Sequence, residues 1–196
     1  MSNFCPSAQD FAIQVISHFY PEDDSFRRLL MKHSFQVCRK AETILHSPGC
    51  PLRLDDETVV TGALLHDIGI GRCHAPDIGC HGDHPYIAHG VIGAEMLRNY
   101  GAASGLDLEK YARICERHTG TGLTAEDIRR QNLPLPVRDY LPETPEEKLI
   151  CLADKFFSKS GTMQEKGMAQ IVCSMRKFGP ENLIRWEELC RMFGIR

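Results

Sequence analysis

The chain has 196 residues, 42% hydrophobic and 25% charged, which is enough apolar material for a sizeable core. A formal net charge of -3 with histidine neutral argues against a broad surface for a nucleic-acid duplex or a membrane. No apolar run approaches the ~18–20 residues of a membrane span, and no basic region followed by an apolar run opens the chain, so the expected location is cytoplasmic.

The apolar period is helical throughout, without the alternating or β-branched runs that make a sheet, so the fold class is all-α. A first helix is predicted from Ala8 to Tyr20, with Phe11, Val15, Ile16 and Phe19 on one face, and Pro21-Glu22-Asp23-Asp24 breaks it. Asp24 or Ser25 caps a second helix that runs to about Leu45 and carries His33. After a loop at 46–51, Asp55 or Asp56 caps a third, with acidic residues in its first turn where the helix dipole favours them. It runs through Val59, Val60, Ala63, Leu64 and Leu65 into His66-Asp67-Ile68-Gly69. There a histidine and an aspartate stand side by side at a helix end, and Gly69 is read as the residue that lets the chain turn away sharply. Imidazole nitrogen beside carboxylate oxygen suits a divalent metal of intermediate hardness, and a carboxylate can bridge two ions.

Residues 70–84 are irregular. They hold Cys73-His74, Cys80-His81 and His84, but at no zinc-finger or zinc-ribbon spacing. Their glycines and proline predict a loop over an active site. Pro85 opens a fourth helix carrying His89, with Gly101 read as its C-terminal cap. Gly90 and Gly93 inside it cost about 1 kcal/mol each relative to alanine, which predicts close approach of another helix or a ligand. Asp107 caps a fifth helix, Leu108 to about His118, ended by Thr119-Gly120-Thr121-Gly122. Thr124 with Asp127 opens a short helix, and Leu133 to Pro145 holds four prolines and is extended. Thr144-Pro145-Glu146-Glu147 starts a helix that continues to Phe157. Asp154 interrupts the apolar face of that helix and needs a cation there. Two more helices, about Met163 to Phe178 and Pro180 to Phe193, carry Leu183, Trp186, Leu189 and Phe193 at helical spacing and are expected to pack on the bundle. Nine scattered cysteines with no CxxC pair read as mostly buried free thiols in a reducing compartment.

The polar residues that stand out in these helices or at their ends are His33, His66, Asp67, His89, His118 and Asp154. Helical bundles build internal metal sites from one or two such residues per helix. The order H…HD…D with two intervening histidines resembles the HD superfamily of metal-dependent phosphohydrolases, and His66-Asp67-Ile68-Gly69 resembles its HDIG subtype. The stretches from His89 to Glu95, Glu116 to Gly120 and Leu152 to Lys155 resemble the later motifs of small single-domain HDIG proteins, and Tyr140 to Lys148 is similar to one branch of them.

The resemblance covers about residues 26–160. It implies an HD-domain helical bundle as a single domain over 1–196, with its core at about 26–160 and C-terminal helices at 161–196 packed on it. It implies His33, His66, Asp67 and Asp154 as ligands of a first metal. His89 and His118 would hold a second, with Asp67 bridging. Iron or manganese suits this mixed donor set best, and zinc, cobalt or nickel also fit. Some dinuclear members carry a further histidine beside His118, where this chain has Arg117 and Thr119. The HD-GYP pattern has a lysine soon after the His-Asp pair, where this chain has Ile68-Gly69-Ile70-Gly71, which argues against a cyclic-dinucleotide phosphodiesterase.

The implied reaction is hydrolysis of a phosphate mono- or diester, of a nucleotide or dinucleoside polyphosphate, by a metal-activated hydroxide. Asp67, Lys155 and Arg72 are the catalytic candidates, and Arg72, Lys155 and His84 the substrate-binding ones, since cationic side chains hold phosphate. Asp77, His74 and His81 join His84 as candidates to orient substrate or protonate a leaving group. Two other readings of the resemblance are a di-iron oxygenase and a non-catalytic, metal-dependent nucleotide sensor.

Overall fold

Helix forms in the computed structural model, which describes residues 7–195, wherever the apolar period and a capping residue coincide. The nine α-helices among the described residues are α1 Ala8–Phe19, α2 Ser25–Leu45, α3 Asp56–Leu65, α4 His89–Ser104, α5 Glu109–Arg117, α6 Ala125–Gln131, α7 Pro145–Asp154, α8 Met168–Arg176 and α9 Pro180–Met192. Asp24 accepts from the Arg27 amide and Asp55 from the Thr58 amide, while Thr124/Asp127 and Thr144/Glu147 form reciprocal capping boxes. Each cap satisfies amides that the first turn leaves unpaired and contributes about 1 kcal/mol.

The centre of the bundle is α3. From Thr58 to Leu65 all but Val60 are buried, because α1, α2, α5 and α7 surround it. A helix that is apolar around its whole circumference has no solvent face to protect, so its C-terminal end delivers His66 and Asp67 into the core. On one side α4 lies against α5, and on the other α9 packs on α7 and α8. Trp186 of α9 is 1% exposed, and its ring lies 6.0 Å from that of Phe156.

Several boundaries differ from the sequence expectation, each for a local reason. Gly101 lies inside α4, and Gly105, in the left-handed region at φ 69°, caps it through a bond from the cap amide to the Gly101 carbonyl. Leu108, not Asp107, occupies the N-cap of α5, although Asp107 still accepts from the Glu109 amide at 3.0 Å. The eighth helix begins at Met168 rather than Met163, because Met163 and Gly161 adopt positive φ (53° and 72°) and interrupt the helical path. Residues 70–84 contain the short hairpin β1 His74–Ala75 and β2 Cys80–His81, antiparallel with His74 opposite His81, so the expectation of no strand fails at this one place among the described residues. The eight described cysteines are free, and only Cys173 is exposed; Cys5 lies outside the described residues. Among the described residues no helix is long and apolar enough to cross a membrane.

Candidate metal centre

Six polar residues converge where helices end. His66 and Asp67 follow α3, Asp154 is the last residue of α7, His89 is the first of α4, His118 follows α5, and His33 lies within α2. All six are buried. A buried polar group without a partner costs several kcal/mol, so their convergence has to be stabilised by something they hold.

Gly69 is needed here for a different reason from the one its sequence suggests. Its backbone is right-handed (φ -78°, ψ -9°), so it makes no glycine-only turn. A Cβ at this position would instead overlap the His89 carbonyl oxygen and the Gly93 amide nitrogen. The glycine gives room for the end of α3 to lie against the start of α4. Gly90 does the same towards α5, where a Cβ would sit 2.5 Å from the Cys115 carbonyl oxygen. The close approach expected of Gly90 and Gly93 is therefore present, and it brings His89 and His118 to Asp67.

The six donors fall into two groups that share one carboxylate. Around Asp67 Oδ2, His33 Nε2 and His66 Nε2 both lie at 3.2 Å, and Asp154 Oδ1 lies 3.0 Å from His33 Nε2. Around Asp67 Oδ1, His89 Nε2 and His118 Nε2 both lie at 3.4 Å, and are 3.0 Å from each other. Ligands held at ~2.1 Å around one ion are ~3.0–3.4 Å apart in octahedral or tetrahedral geometry, so both groups have the spacing of a coordination shell.

The hydrogen bonds fix which atoms are free to coordinate. A carbonyl can only accept, so His66 Nδ1 donates to Ala63 O, His89 Nδ1 to Tyr86 O and His118 Nδ1 to Cys115 O, each at 2.7 Å. Each ring therefore presents Nε2 to the centre. Burial lowers His89 to about 3, helped by His118, and burial also lowers His118. Both rings are neutral, so their Nε2 lone pairs face each other with no proton between them. That arrangement is repulsive unless a cation lies there. Four ring nitrogens stand 3.2–3.4 Å from the two Asp67 oxygens, two at each, and Lys159 Nζ also reaches Asp67 Oδ2 at 2.8 Å. Buried donors that converge on two points, with two neutral imidazoles face to face at one of them, fit divalent metal at both groups.

Charge around the centre is balanced by two lysines. Burial would raise Asp67 and Asp154, but cations beside each hold both carboxyls well below the usual range: His66 and Lys159 for Asp67, Lys155 and Lys159 for Asp154. Lys155 Nζ lies 2.7 Å from Asp154 Oδ2 and Lys159 Nζ 2.8 Å from Asp67 Oδ2. Burial works against the Lys159 charge, yet Asp67 and Asp154 outweigh it and keep the side chain an ammonium. These lysines line a cavity of about 440 Å³ that opens over Asp154 and is also bordered by Asp77, Tyr86 and Lys166.

The structure brings Lys155 to this cavity but not Arg72 or His84. Those two line a separate surface hollow beside Tyr20 and Asp24, along with His81. The cause is the β1–β2 hairpin: His84 N donates to Arg72 O at 3.3 Å and His74 N to His84 O at 2.7 Å, folding both side chains away from the centre. Arg117 is also turned outward, to Leu141 O at 2.6 Å and Glu143 at 2.7 Å. Lys159 and Lys166 were not singled out from sequence. The available signal was the set of lysines after Asp154 (Lys155, Lys159, Lys166), spaced by four and seven residues, a helical spacing that reads as a solvated face.

The HD domain family model matches residues 30–158. A tRNA (cytidine(56)-2'-O)-methyltransferase of Picrophilus torridus is 38% identical over 130 residues, 66% of this chain and 32% of that protein. An uncharacterized protein of Methanocaldococcus jannaschii is 46% identical over 101 residues, 52% of this chain and 49% of that protein. The chain thus spans a third to a half of the length of these relatives. The crystal structure of the HD domain of the L. monocytogenes phosphodiesterase PgpH is similar in fold, with TM-score 0.51 and 18% identity over 92% of this chain and 87% of that one.

Proposed function

The chain belongs to the HD-domain family, and from that premise we propose that it is a metal-dependent phosphohydrolase whose substrate is a phosphate ester of a nucleotide. The observation that carries the reading is Asp67, which sends one oxygen to each of two buried donor groups at the foot of a lysine-lined cavity.

The first ion would be held by His33, His66, Asp67 and Asp154, the second by Asp67, His89 and His118. Divalent ions there supply a water acidic enough to act as nucleophile near neutral pH and offset charge on the phosphoryl group. The protein's own residues do the rest. The Nδ1–H bonds to Ala63, Tyr86 and Cys115 carbonyls fix three imidazoles before any ligand arrives. Lys155, braced by Asp154 and 3.4 Å from His118 O, and Lys159, braced by Asp67, present fixed positive charge to phosphoryl oxygens. Burial of the donor groups keeps bulk water from screening that charge.

Two ammonium groups at the foot of the cavity favour an anionic ester. The relatives named for tRNA modification favour a nucleotide. The test is a panel of nucleotides and dinucleoside polyphosphates incubated with protein loaded with Mn²⁺ or Fe²⁺. Release of phosphate or nucleotide from at least one member is expected. No release from any member by fully loaded protein would overturn the reading, and oxygen uptake in its place would favour the di-iron oxygenase.

A further inference from the structure

We propose that one face of α8 and the turn after it form the base-binding wall of the active-site cavity, with Phe178 as the residue that selects nucleoside phosphates over sugar phosphates. This rests on the phosphohydrolase reading and adds the part of the substrate that reading leaves open.

Four of the cavity's lining residues are Ile171, Ser174, Met175 and Phe178. Their spacing of three, four and seven residues places them on one helical face, which continues past the end of α8 because Phe178 N donates to Met175 O at 3.1 Å. A stripe of this kind normally faces a core. This one does so only at one end: Ile171 is 1% and Met175 5% exposed, whereas Phe178 is 52% exposed. Tyr86, 40% exposed, also lines the cavity, with its ring 5.0 Å from that of the metal-site residue His89. Among the described residues, the exposed large apolar side chains include two aromatics, Tyr86 and Phe178, and both line this cavity. Two aromatic side chains that line one cavity and keep a large part of their surface in solvent are explained by a flat ligand that covers them.

The rest of the lining narrows the ligand further. Lys155 and Lys159 lie at the metal end, where the phosphate would sit. Ser158, Ser160 and Ser174 also line the cavity, and hydroxyl groups there suit a sugar and the edges of a base and do not suit an alkyl chain. The volume of about 440 Å³ is that of a site for a ligand of nucleotide size. The match to the HD domain ends at residue 158, so every α8 residue of the wall lies beyond the segment that carries the metal donors. The selecting surface therefore belongs to the part of this chain outside the family domain.

The experiment is calorimetric titration of Mn²⁺-loaded protein with the non-hydrolysable phosphonate analogues of AMP and of ribose 5-phosphate. The AMP analogue is expected to bind about tenfold tighter, the scale of one base stacked on an aromatic ring. Phe178→Ala should remove most of that preference while leaving the sugar phosphonate's affinity unchanged, and Phe178→Trp should restore it. Phe178 is half in solvent, so its truncation leaves the fold intact. Equal binding of the two analogues to the wild type, or a preference that survives Phe178→Ala, would overturn the inference alone. Binding of neither analogue would overturn the phosphohydrolase reading on which it rests.

Discussion

The metal donors and the cavity wall are built by opposite means. Asp67, His66, His89, His118 and Asp154 are placed by helix ends, and each of those helices is locked by buried neighbours on several sides. The wall beyond them comes from the irregular stretch 155–167 and from α8, whose main packing partner is α9. Positions fixed by a core hold ligands to fractions of an ångström, which coordination requires. A peripheral helix can change its lining without disturbing the donors. Substitutions in the first region should therefore remove chemistry, and those in the second should change what binds.

The largest effect is expected from Asp67→Asn, which removes the one carboxylate charge shared by the two donor groups. Turnover of whichever ester the panel identifies should fall on the order of 10³-fold with the fold retained, checked by steady-state kinetics beside circular dichroism. His118→Ala removes one donor from one group only, and a loss of about 10²-fold is expected. Comparable loss from Phe178→Ala in kcat would erase the division between the two regions. Gly69→Ala tests the contact between α3 and α4. The added methyl meets backbone rather than a flexible side chain, so a loss of about 1–3 kcal/mol in denaturant unfolding is expected, together with weaker metal retention.

A pH effect of intermediate size follows from His66. Burial lowers this imidazole, but the charges and hydrogen bonds of Asp67 and Asp154 outweigh burial and lift it to about 9 in the metal-free protein. Below that pH an arriving ion must displace a proton. Affinity for the ion held by His66 should therefore rise about tenfold per pH unit towards pH ~9 and level off above it, with about one proton released as that ion binds. Calorimetry in buffers of different ionisation enthalpy measures that proton, and a pH-independent affinity between about pH 6 and 8 would contradict the assignment. The smallest effect belongs to Arg72→Ala. In its separate hollow the side chain lies away from the lysine-lined cavity, and kcat/KM should stay within about twofold of wild type.

The two regions also differed in how much their sequence disclosed. The donors were legible because each interrupts an apolar helix or stands at its end, and burying an unpaired His or Asp there would otherwise be costly. The role of Gly69 was not, because the group it must avoid, the His89 carbonyl, is twenty residues away along the chain and adjacent only in space. Lys159 and Phe178 were hidden because each reads as something ordinary: one shares with Lys155 and Lys166 the spacing of a solvated face, and the other extends a stripe that reads as core. Arg72 reads as a cation able to hold phosphate, but a hairpin with two-residue strands, too short to show an alternating pattern, turns it away. The start of α8 was misplaced because nothing about a methionine at 163 announces a left-handed backbone.

The central claim is that Asp67 is shared by two ions, and metal content tests it most directly. Protein purified without added metal and reconstituted with Mn²⁺ should hold two ions per chain by plasma mass spectrometry. His118→Ala should hold one, and Asp67→Asn should hold none after the same desalting. Full retention of metal in Asp67→Asn, or a single ion in both the wild type and His118→Ala, would contradict the account.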